Sequence, residues 1–224
     1  MLENLELLVF DMDGTLIDSR GMYTGTYGTV LHGFGVEATE EQIMSSLVGK
    51  PTAEEIEPLF SKDMEGREGK IQKAATKIDE LISSEVGISM LKLMPYARET
   101  LQAMAELGYY SALHTGSNRP FTEACLEHYS LNEYWDLKVT ADDPFEDRVA
   151  AAKYIVNCFT TPEKTVYIGD RVKDVRTAQQ VGCRSIAVSG GWDEDAKLRA
   201  ANPDYLVSSL QALYDEMLRN AVRV

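Results

Sequence analysis

Cysteines are few in this chain of 224 residues, and their spacing argues against the sites that cysteine usually builds. Cys125, Cys158 and Cys183 lie far apart and form no Cys-x-x-Cys pair, so neither a disulfide scaffold nor a structural zinc site is supported. No cysteine adjoins a histidine or a basic cluster, which argues against a catalytic thiol. We therefore expect reduced thiols and a cytoplasmic protein.

Positive charge is also scarce, and long apolar runs are missing. The chain carries 22 Lys and Arg against 36 Asp and Glu, which gives a formal net charge of −14. A phosphate backbone would repel such a surface, and no basic cluster makes a local exception, so nucleic acid is not an expected partner. No run of about 18 apolar residues is present. The acidic N-terminus also lacks the positively charged start of a signal peptide, so no membrane partner is expected.

Hydrophobic residues make up 44% of the chain, enough for one large domain or for a domain with an insertion. Short apolar runs alternate with helical patterns beyond about residue 95, and the run at 6–10 has the same character. This alternation predicts an α/β fold with a parallel sheet that helices cover on both faces. The predicted strands are residues 6–10, 110–115, 137–140, 165–170, 184–189 and 204–207, and the predicted helices are 97–107, 120–129, 148–159, 172–181 and 208–220.

Residues 18–92 have a different pattern, which is helical throughout and contains no convincing strand. Hydroxyl residues followed by acidic ones predict helix starts at Thr39 and Thr52. Apolar residues at helical spacing predict one long helix over 68–86. We interpret this segment as a helical insertion between the first and second strands of the parallel sheet, with hinges near 16–20 and 91–96.

The first strand leads into the most informative motif of the chain. Four apolar residues, Leu7 to Phe10, are followed by Asp11, Met12, Asp13, Gly14 and Thr15. Residues i and i+2 of an extended chain point to the same face, so the two carboxylates lie close together. Their repulsion is relieved most simply by a divalent cation, and Gly14 permits a sharp turn.

Two further strand ends carry polar residues. Thr115, Gly116, Ser117 and Asn118 follow the strand at 110–115, and a turn with a hydroxyl and free N–H groups suits a phosphate. Gly169 and Asp170 end the strand at 165–170, and Asp174 follows in the first turn of the next helix. Ligands of open α/β sheets bind beyond the carboxyl ends of the strands. If the strand of Asp170 lies beside that of Asp11, the four carboxylates meet there.

These motifs, in this order, resemble the haloacid dehalogenase superfamily, in the branch with a helical cap that includes phosphoglycolate phosphatase-like and β-phosphoglucomutase-like proteins. The resemblance spans the chain. It implies a Rossmann-like doubly wound core formed by residues 1–17 and 93–224, and an all-helical cap formed by residues 18–92.

The resemblance also implies roles for single residues. Asp11 is the expected nucleophile, and Asp13 is the expected general acid and base. Mg²⁺ is expected to be held by Asp11, the backbone carbonyl of Asp13 and Asp170, with Asp174 either as a further ligand or as a hydrogen-bond partner behind the ligands. The phosphoryl group is expected to bind Thr115, Gly116 and Ser117. Substrate is expected to contact Lys50, which lies in a Gly49-Lys50-Pro51 turn similar to one in relatives, although a plain turn between helices is an open alternative.

One role that the resemblance implies has no obvious residue in this sequence. Relatives carry a lysine, often followed by proline, before the strand of Asp170, and its charge offsets the carboxylates and phosphoryl oxygens. Residues 141–148, where this lysine would be expected, contain no Lys-Pro pair. Arg148, at the start of its helix, is the first candidate for this catalytic cation and Lys153 the second. Arg171, where many relatives have a small polar residue, is a further departure that could share the same electrostatic role.

The function expected from the resemblance is Mg²⁺-dependent hydrolysis of a small phosphorylated metabolite by a monomer or homodimer. A phosphomutase of the β-phosphoglucomutase type stays open, because it would keep all four carboxylates. A non-catalytic phosphate-binding or regulatory protein also stays open, and the missing Lys-Pro pair is its best support. Asp13 argues against a dehalogenase, which needs no acid–base carboxylate.

Overall fold

A six-stranded parallel sheet forms the centre of the protein. The computed structural model describes residues 2–47 and 50–221. The strand order of the sheet is β5-β4-β1-β6-β7-β8, and each neighbouring pair is parallel. A separate antiparallel pair joins β2 to β3. The strands are β1 (Leu7–Phe10), β2 (Ile17–Asp18), β3 (Lys92–Leu93), β4 (Tyr110–His114), β5 (Leu137–Val139), β6 (Thr165–Gly169), β7 (Arg184–Val188) and β8 (Tyr205–Val207).

Helices cover both faces of this sheet, as the alternation of strands and helices predicts. The helices are α1 (Arg20–Gly33), α2 (Glu40–Ser46), α3 (Thr52–Ile56), α4 (Arg67–Ile82), α5 (Glu85–Met90), α6 (Ala97–Glu106), α7 (Arg119–His128), α8 (Arg148–Phe159), α9 (Val172–Val181), α10 (Asp195–Ala200) and α11 (Leu210–Ala221). Alternate side chains of β1 enter different cores, since Leu7 and Val9 pack with α8 whereas Leu8 and Phe10 pack with α6 and α11. The predicted α/β class, a doubly wound parallel sheet, is confirmed.

The strand order reverses beside β1. The chain builds outward from β1 through β4 to β5 and then returns to place β6 against the other side of β1. Such a reversal opens a crevice beyond the carboxyl ends of the strands, where ligands bind in open α/β sheets. The residues that follow β1, β4 and β6 therefore face one crevice.

The α-helices α1 to α5, as far as the segment is described, lie between β2 and β3. Helix α4 packs against α1 and α3, and α1 also packs against α2. Ile17 pairs with Leu93, so the chain leaves the sheet domain and returns to it at neighbouring points. The division into a core of 1–17 and 93–224 and a cap of 18–92 stays a prediction, and residues 1 and 222–224 of that division lie outside the described part of the chain.

Local structure agrees with prediction at some points and departs from it at others. The long helix predicted over 68–86 ends at Ile82, because Ser84 caps a new helix by accepting a hydrogen bond from the Gly87 N–H at 3.1 Å. Thr39 caps α2 as predicted, and Gln42 completes the capping box. Thr52 does not cap α3 but lies within it, after Pro51. The short strands β2 and β3 and helix α10 carry too little periodic pattern to be predicted.

Over the described part of the chain, no helix is both long and apolar enough to cross a membrane.

Candidate active site

Three buried carboxylates meet where β1 and β6 end. Asp11 follows β1, Asp170 follows β6, and Asp174 lies in the first turn of α9. These two strands are neighbours in register, since Phe10 pairs with Ile168. Carboxylate oxygens of Asp11, Asp170 and Asp174 lie within 4.8 Å of one another, and all three residues are buried. The structure thus brings together three residues that the sequence analysis assigned to one site.

Two hydrogen bonds hold the Asp170 carboxylate in this cluster. The Thr15 hydroxyl donates to Oδ1 at 2.7 Å, and the Trp192 N–H donates to Oδ2 at 2.6 Å. Burial, reinforced by the charges of Asp11 and Asp174, places the pKa of Asp170 well above its ordinary value. The cluster therefore holds more negative charge than its surroundings offset.

Arg148 offsets part of the negative charge of this cluster. Its Nη2 donates to Asp11 Oδ1 at 2.9 Å and to Asp174 Oδ1 at 2.6 Å, and it lies 2.8 Å from the Tyr167 hydroxyl. Asp147 orients the start of α8 by accepting the Ala150 N–H at 2.7 Å. Of the two cations proposed for this position, Arg148 contacts the carboxylates, whereas Lys153 is exposed on the same helix.

The cluster fits a magnesium ion by the chemistry of its donors. The Arg171 N–H donates to Asp174 Oδ2 at 3.0 Å, and burial followed by the charge of Asp11 raises the pKa of Asp174 to about 6. The positive charges of Arg148 and Lys173 act on three buried carboxylates, which still leaves excess negative charge. The donors are all oxygens, which Mg²⁺ prefers. The side chain of Asp13 is not in this cluster, so three of the four carboxylates expected to meet do so among the described residues. Ligation through the Asp13 backbone carbonyl stays a prediction.

Asp13 is held apart from the cluster by Ser117. The Ser117 hydroxyl donates to Asp13 Oδ2 at 2.6 Å, and Oδ1 is buried without a hydrogen-bond partner among the described residues. Burial raises the pKa of Asp13, the Ser117 hydrogen bond partly offsets this, and the charge of Asp11 adds to the rise. These surroundings favour a carboxyl group that can hold a proton.

The turn after β4 completes the site. Thr115 is buried, and its hydroxyl oxygen accepts the Ser117 N–H at 3.0 Å, so the Thr115 proton is available to a ligand. Thr115 and Gly116 border the same cavity as Asp11 and Asp13. Ser117, which was predicted to bind phosphate, donates its hydroxyl proton to Asp13 and its N–H to Thr115, so in this structure it positions those two residues.

A cavity of about 340 Å³ lies above these residues and continues to α1, α3 and α4. Its wall on that side includes Tyr27, Thr52, Glu55 and Asp79. Lys50 also borders the cavity, but its side chain is 61% exposed, and its ammonium lies 3.5 Å from Glu54 Oε2. Gly49, from the predicted Gly-Lys-Pro turn, lies outside the described residues.

Sequence reasoning missed Lys173 and the contacts of Arg171. Lys173 borders the cavity, and burial, followed by the charge of Arg148, lowers its pKa. The Arg171 guanidinium lies 5.2 Å from the ring centroid of Trp192 and donates to the Leu47 carbonyl at 3.0 Å, which ties α9 to the segment after α2. Both residues lie between Asp170 and Asp174, and the two aspartates alone indicated a metal site in this stretch of the sequence.

Gly14, in the turn after Asp13, is expected to tolerate no side chain without a large loss of stability. Its φ of +85° is in the left-handed region, and an added Cβ would collide with the side chains of Asp170 and Trp192. Gly35 is a matched control, because its φ is +78° and an added Cβ would meet open space. We expect Gly35→Ala to cost about 1–2 kcal/mol in free energy of unfolding, from backbone strain alone. Gly14→Ala should cost clearly more, measured by urea unfolding. Equal losses for the two variants would show that the collision with Asp170 is relieved.

Comparison with known proteins is consistent with this geometry. Residues 8–188 match the haloacid dehalogenase-like hydrolase family. The chain is 24% identical over 220 residues to a phosphoglycolate phosphatase of Vibrio parahaemolyticus serotype O3:K6 (strain RIMD 2210633), covering 95% of this chain and 96% of that protein.

Two solved structures share the fold. A haloacid dehalogenase-like hydrolase from Streptococcus pneumoniae superposes with a TM-score of 0.80 at 20% identity, over 94% of this chain and 97% of that one. A β-phosphoglucomutase candidate from Thermotoga maritima gives a TM-score of 0.68 at 23% identity, over 98% of this chain and 100% of that one. The family match extends over most of the chain and includes every carboxylate of the site, and the chain therefore belongs to the haloacid dehalogenase-like hydrolase family.

Proposed function

We propose that this hydrolase is a Mg²⁺-dependent phosphatase that cleaves a small phosphate monoester through an aspartyl-phosphate on Asp11. The observation that carries the proposal is that Asp11, Asp13 and the Thr115 turn border the same cavity, next to the buried carboxylate cluster. The similarity to a curated phosphoglycolate phosphatase supports the same reaction class. The cavity volume of about 340 Å³ favours a small metabolite.

The proposed first step uses the free oxygen of the nucleophile. Arg148 binds Asp11 Oδ1, which leaves Oδ2 to attack phosphorus while the bond from phosphorus to the ester oxygen breaks. Asp13 donates its proton to that oxygen as the alcohol leaves. The raised pKa of Asp13 suits this role, since the carboxyl must be protonated before the step.

The second step returns Asp11 to its starting state. Asp13, now a carboxylate, accepts a proton from water as the water oxygen attacks phosphorus, and the bond from phosphorus to Asp11 breaks to release phosphate. Thr115 and Gly116 would bind the phosphoryl oxygens through the whole sequence, and Lys173 would add positive charge from the cavity wall. Mg²⁺, held by Asp11, Asp170, Asp174 and the Asp13 carbonyl, would supply further positive charge to those oxygens when bound.

Phosphate release from p-nitrophenyl phosphate and a panel of small phosphate esters tests this proposal. We expect release in Mg²⁺ and loss of at least about 100-fold in activity with a chelator, reversed when Mg²⁺ is restored. Mg²⁺ should also raise the melting temperature of the resting protein, because it binds only the folded cluster. Asp170→Asn should weaken this thermal shift, whereas Asp63→Asn, at an exposed aspartate, should not. Full activity in the chelator would overturn the metal part of the proposal.

The same panel distinguishes the two alternative functions. A phosphomutase, favoured by the likeness to the Thermotoga maritima structure, would convert a sugar phosphate without releasing phosphate. A non-catalytic protein would release none from any ester. Its main support was the missing Lys-Pro pair, and the contacts of Arg148 with Asp11 and Asp174 weaken that support.

A further inference from the structure

Four polar side chains of the helical segment line one part of the cavity, which we call the acceptor wall. Tyr27 comes from α1, Thr52 and Glu55 from α3, and Asp79 from α4. A phosphate ester bound at Asp11 extends its alcohol portion into this cavity, since the phosphoryl group occupies the Thr115 turn. The chemistry of these four side chains therefore bears on which alcohol the site accepts.

The hydroxyl groups of this wall have already committed their protons. Tyr27 donates to Glu55 Oε2 at 3.2 Å, and Thr52 donates to Asp79 Oδ1 at 2.6 Å. Each hydroxyl can therefore only accept a further hydrogen bond from a ligand, and ionised carboxylates are acceptors as well. The wall presents acceptors, so a well-matched ligand must present donors.

The negative charge of the wall also disfavours an acidic leaving group. Glu55 is buried, and Asp79 is half-buried beside it in the same cavity. A carboxylate on the leaving group would meet the like charges of Glu55 and Asp79, and none of the four side chains of this wall offers it an uncommitted proton. Within residues 2–47 and 50–221, three cations border the cavity, and each has other partners. Lys50 lies by Glu54, and Arg171 stacks on Trp192 and binds the Leu47 carbonyl. Lys173, on α9 and outside this wall, interacts with the charges of Asp11 and Asp174.

We propose that the alcohol portion of the substrate carries hydrogen-bond donors, as hydroxyl or ammonium groups, and carries no carboxylate. This inference rests on the proposed phosphatase function and narrows its substrate class. It separates this chain from the Vibrio relative, whose name describes an ester with a carboxylate on the leaving group. Asp79 and Thr52 are the residues assigned to bind the donors, and Glu55 and Tyr27 contribute charge and a further acceptor.

A three-ester comparison with the full chain in Mg²⁺ tests the proposal. The esters are glycerol phosphate, with hydroxyl donors, phosphoethanolamine, with an ammonium group, and phosphoglycolate, with a carboxylate. We expect kcat/KM for one or both of the first two to exceed that for phosphoglycolate by at least about tenfold. Phosphoglycolate as the best substrate would overturn this inference and leave the phosphatase function intact. No release from any ester, p-nitrophenyl phosphate included, would overturn the phosphatase function itself.

Variants of the wall make the test specific to these residues. Asp79→Asn removes one charge, and we expect it to lower the preference for the donor esters over phosphoglycolate by about tenfold. Thr52→Val removes an acceptor but keeps both charges, so it should slow the donor esters without improving phosphoglycolate. Asp63→Asn, on the same helical segment but exposed, is the control and should leave the ratio unchanged. An unchanged ratio in both wall variants would overturn the assignment.

The relative losses identify which donor the wall selects. Asp79→Asn should cost phosphoethanolamine more than glycerol phosphate if charge attraction dominates, and should cost them equally if hydrogen bonding does. Either result supports a donor-bearing alcohol.

Discussion

Replacing Asp11 by asparagine is expected to reduce phosphate release by about 10⁴-fold or more, because an amide cannot act as the nucleophile of the first step. The substitution preserves the size of the side chain and can keep a carbonyl oxygen near the Arg148 Nη2, which lies 2.9 Å from Asp11 Oδ1 in the native protein. The fold should therefore persist. Steady-state release from p-nitrophenyl phosphate, together with circular dichroism, measures both expectations.

A matched variant and a trapping measurement show whether the loss reflects covalent chemistry. Asp18→Asn changes an exposed aspartate shortly after the motif and should retain full activity. Asp13→Asn should still form the covalent intermediate from p-nitrophenyl phosphate, whose leaving group needs no acid, but should hydrolyse it slowly. Mass spectrometry after an acid quench should then find one added phosphoryl group in Asp13→Asn and none in Asp11→Asn. Substantial turnover by Asp11→Asn would assign the nucleophile elsewhere.

Replacing Arg148 by methionine is expected to impair both activity and folding. Methionine fills similar volume but leaves Asp11 and Asp174 buried without their cation, and breaking a buried ion pair from one side costs about 3–5 kcal/mol. Without Arg148 the Asp11 carboxylate is no longer held in one orientation, which should also lower kcat by about 10²–10³-fold. Urea unfolding in a chelator measures the first effect, and phosphate release in Mg²⁺ measures the second.

Two comparisons make the Arg148 result interpretable. Arg148→Lys keeps the charge but not the planar guanidinium, so it should recover stability more fully than activity. Arg119→Met breaks a more exposed pair with Asp143 and should cost about 1 kcal/mol or less, with little effect on turnover. Wild-type activity in Arg148→Met would transfer the cationic role to Lys173.

The sequence predicted the parts of this site that follow strands. Asp11, Thr115 and Asp170 each come directly after an apolar run, and the carboxyl ends of parallel strands share one edge, so their approach could be inferred without coordinates. Arg148 was proposed because the family resemblance implies a cation before the strand of Asp170. The helical region followed from helix-start patterns and apolar spacing, but the break between Ile82 and Ser84 did not, because the apolar spacing continues across the serine cap.

Contacts between distant loops could not be inferred in this way. The Trp192 N–H that binds Asp170 comes from a loop after β7, and a backbone donor leaves no mark in the sequence. The approach of Asp79 to Thr52 depends on how α4 packs on α3, which periodicity does not determine. The roles of these residues in catalysis and binding stay predictions until the variants are measured.

The pairing of β2 with β3 bears on how this kind of protein can diverge over generations. Because Ile17 lies opposite Leu93, the helices between them begin and end at one place on the sheet domain. A lengthened, shortened or rearranged set of helices can be accommodated there without altering the order of the six strands or the spacing of Asp11 and Asp170. New substrate preferences can thus be selected in one part of the chain while the reaction chemistry is inherited unchanged in the other.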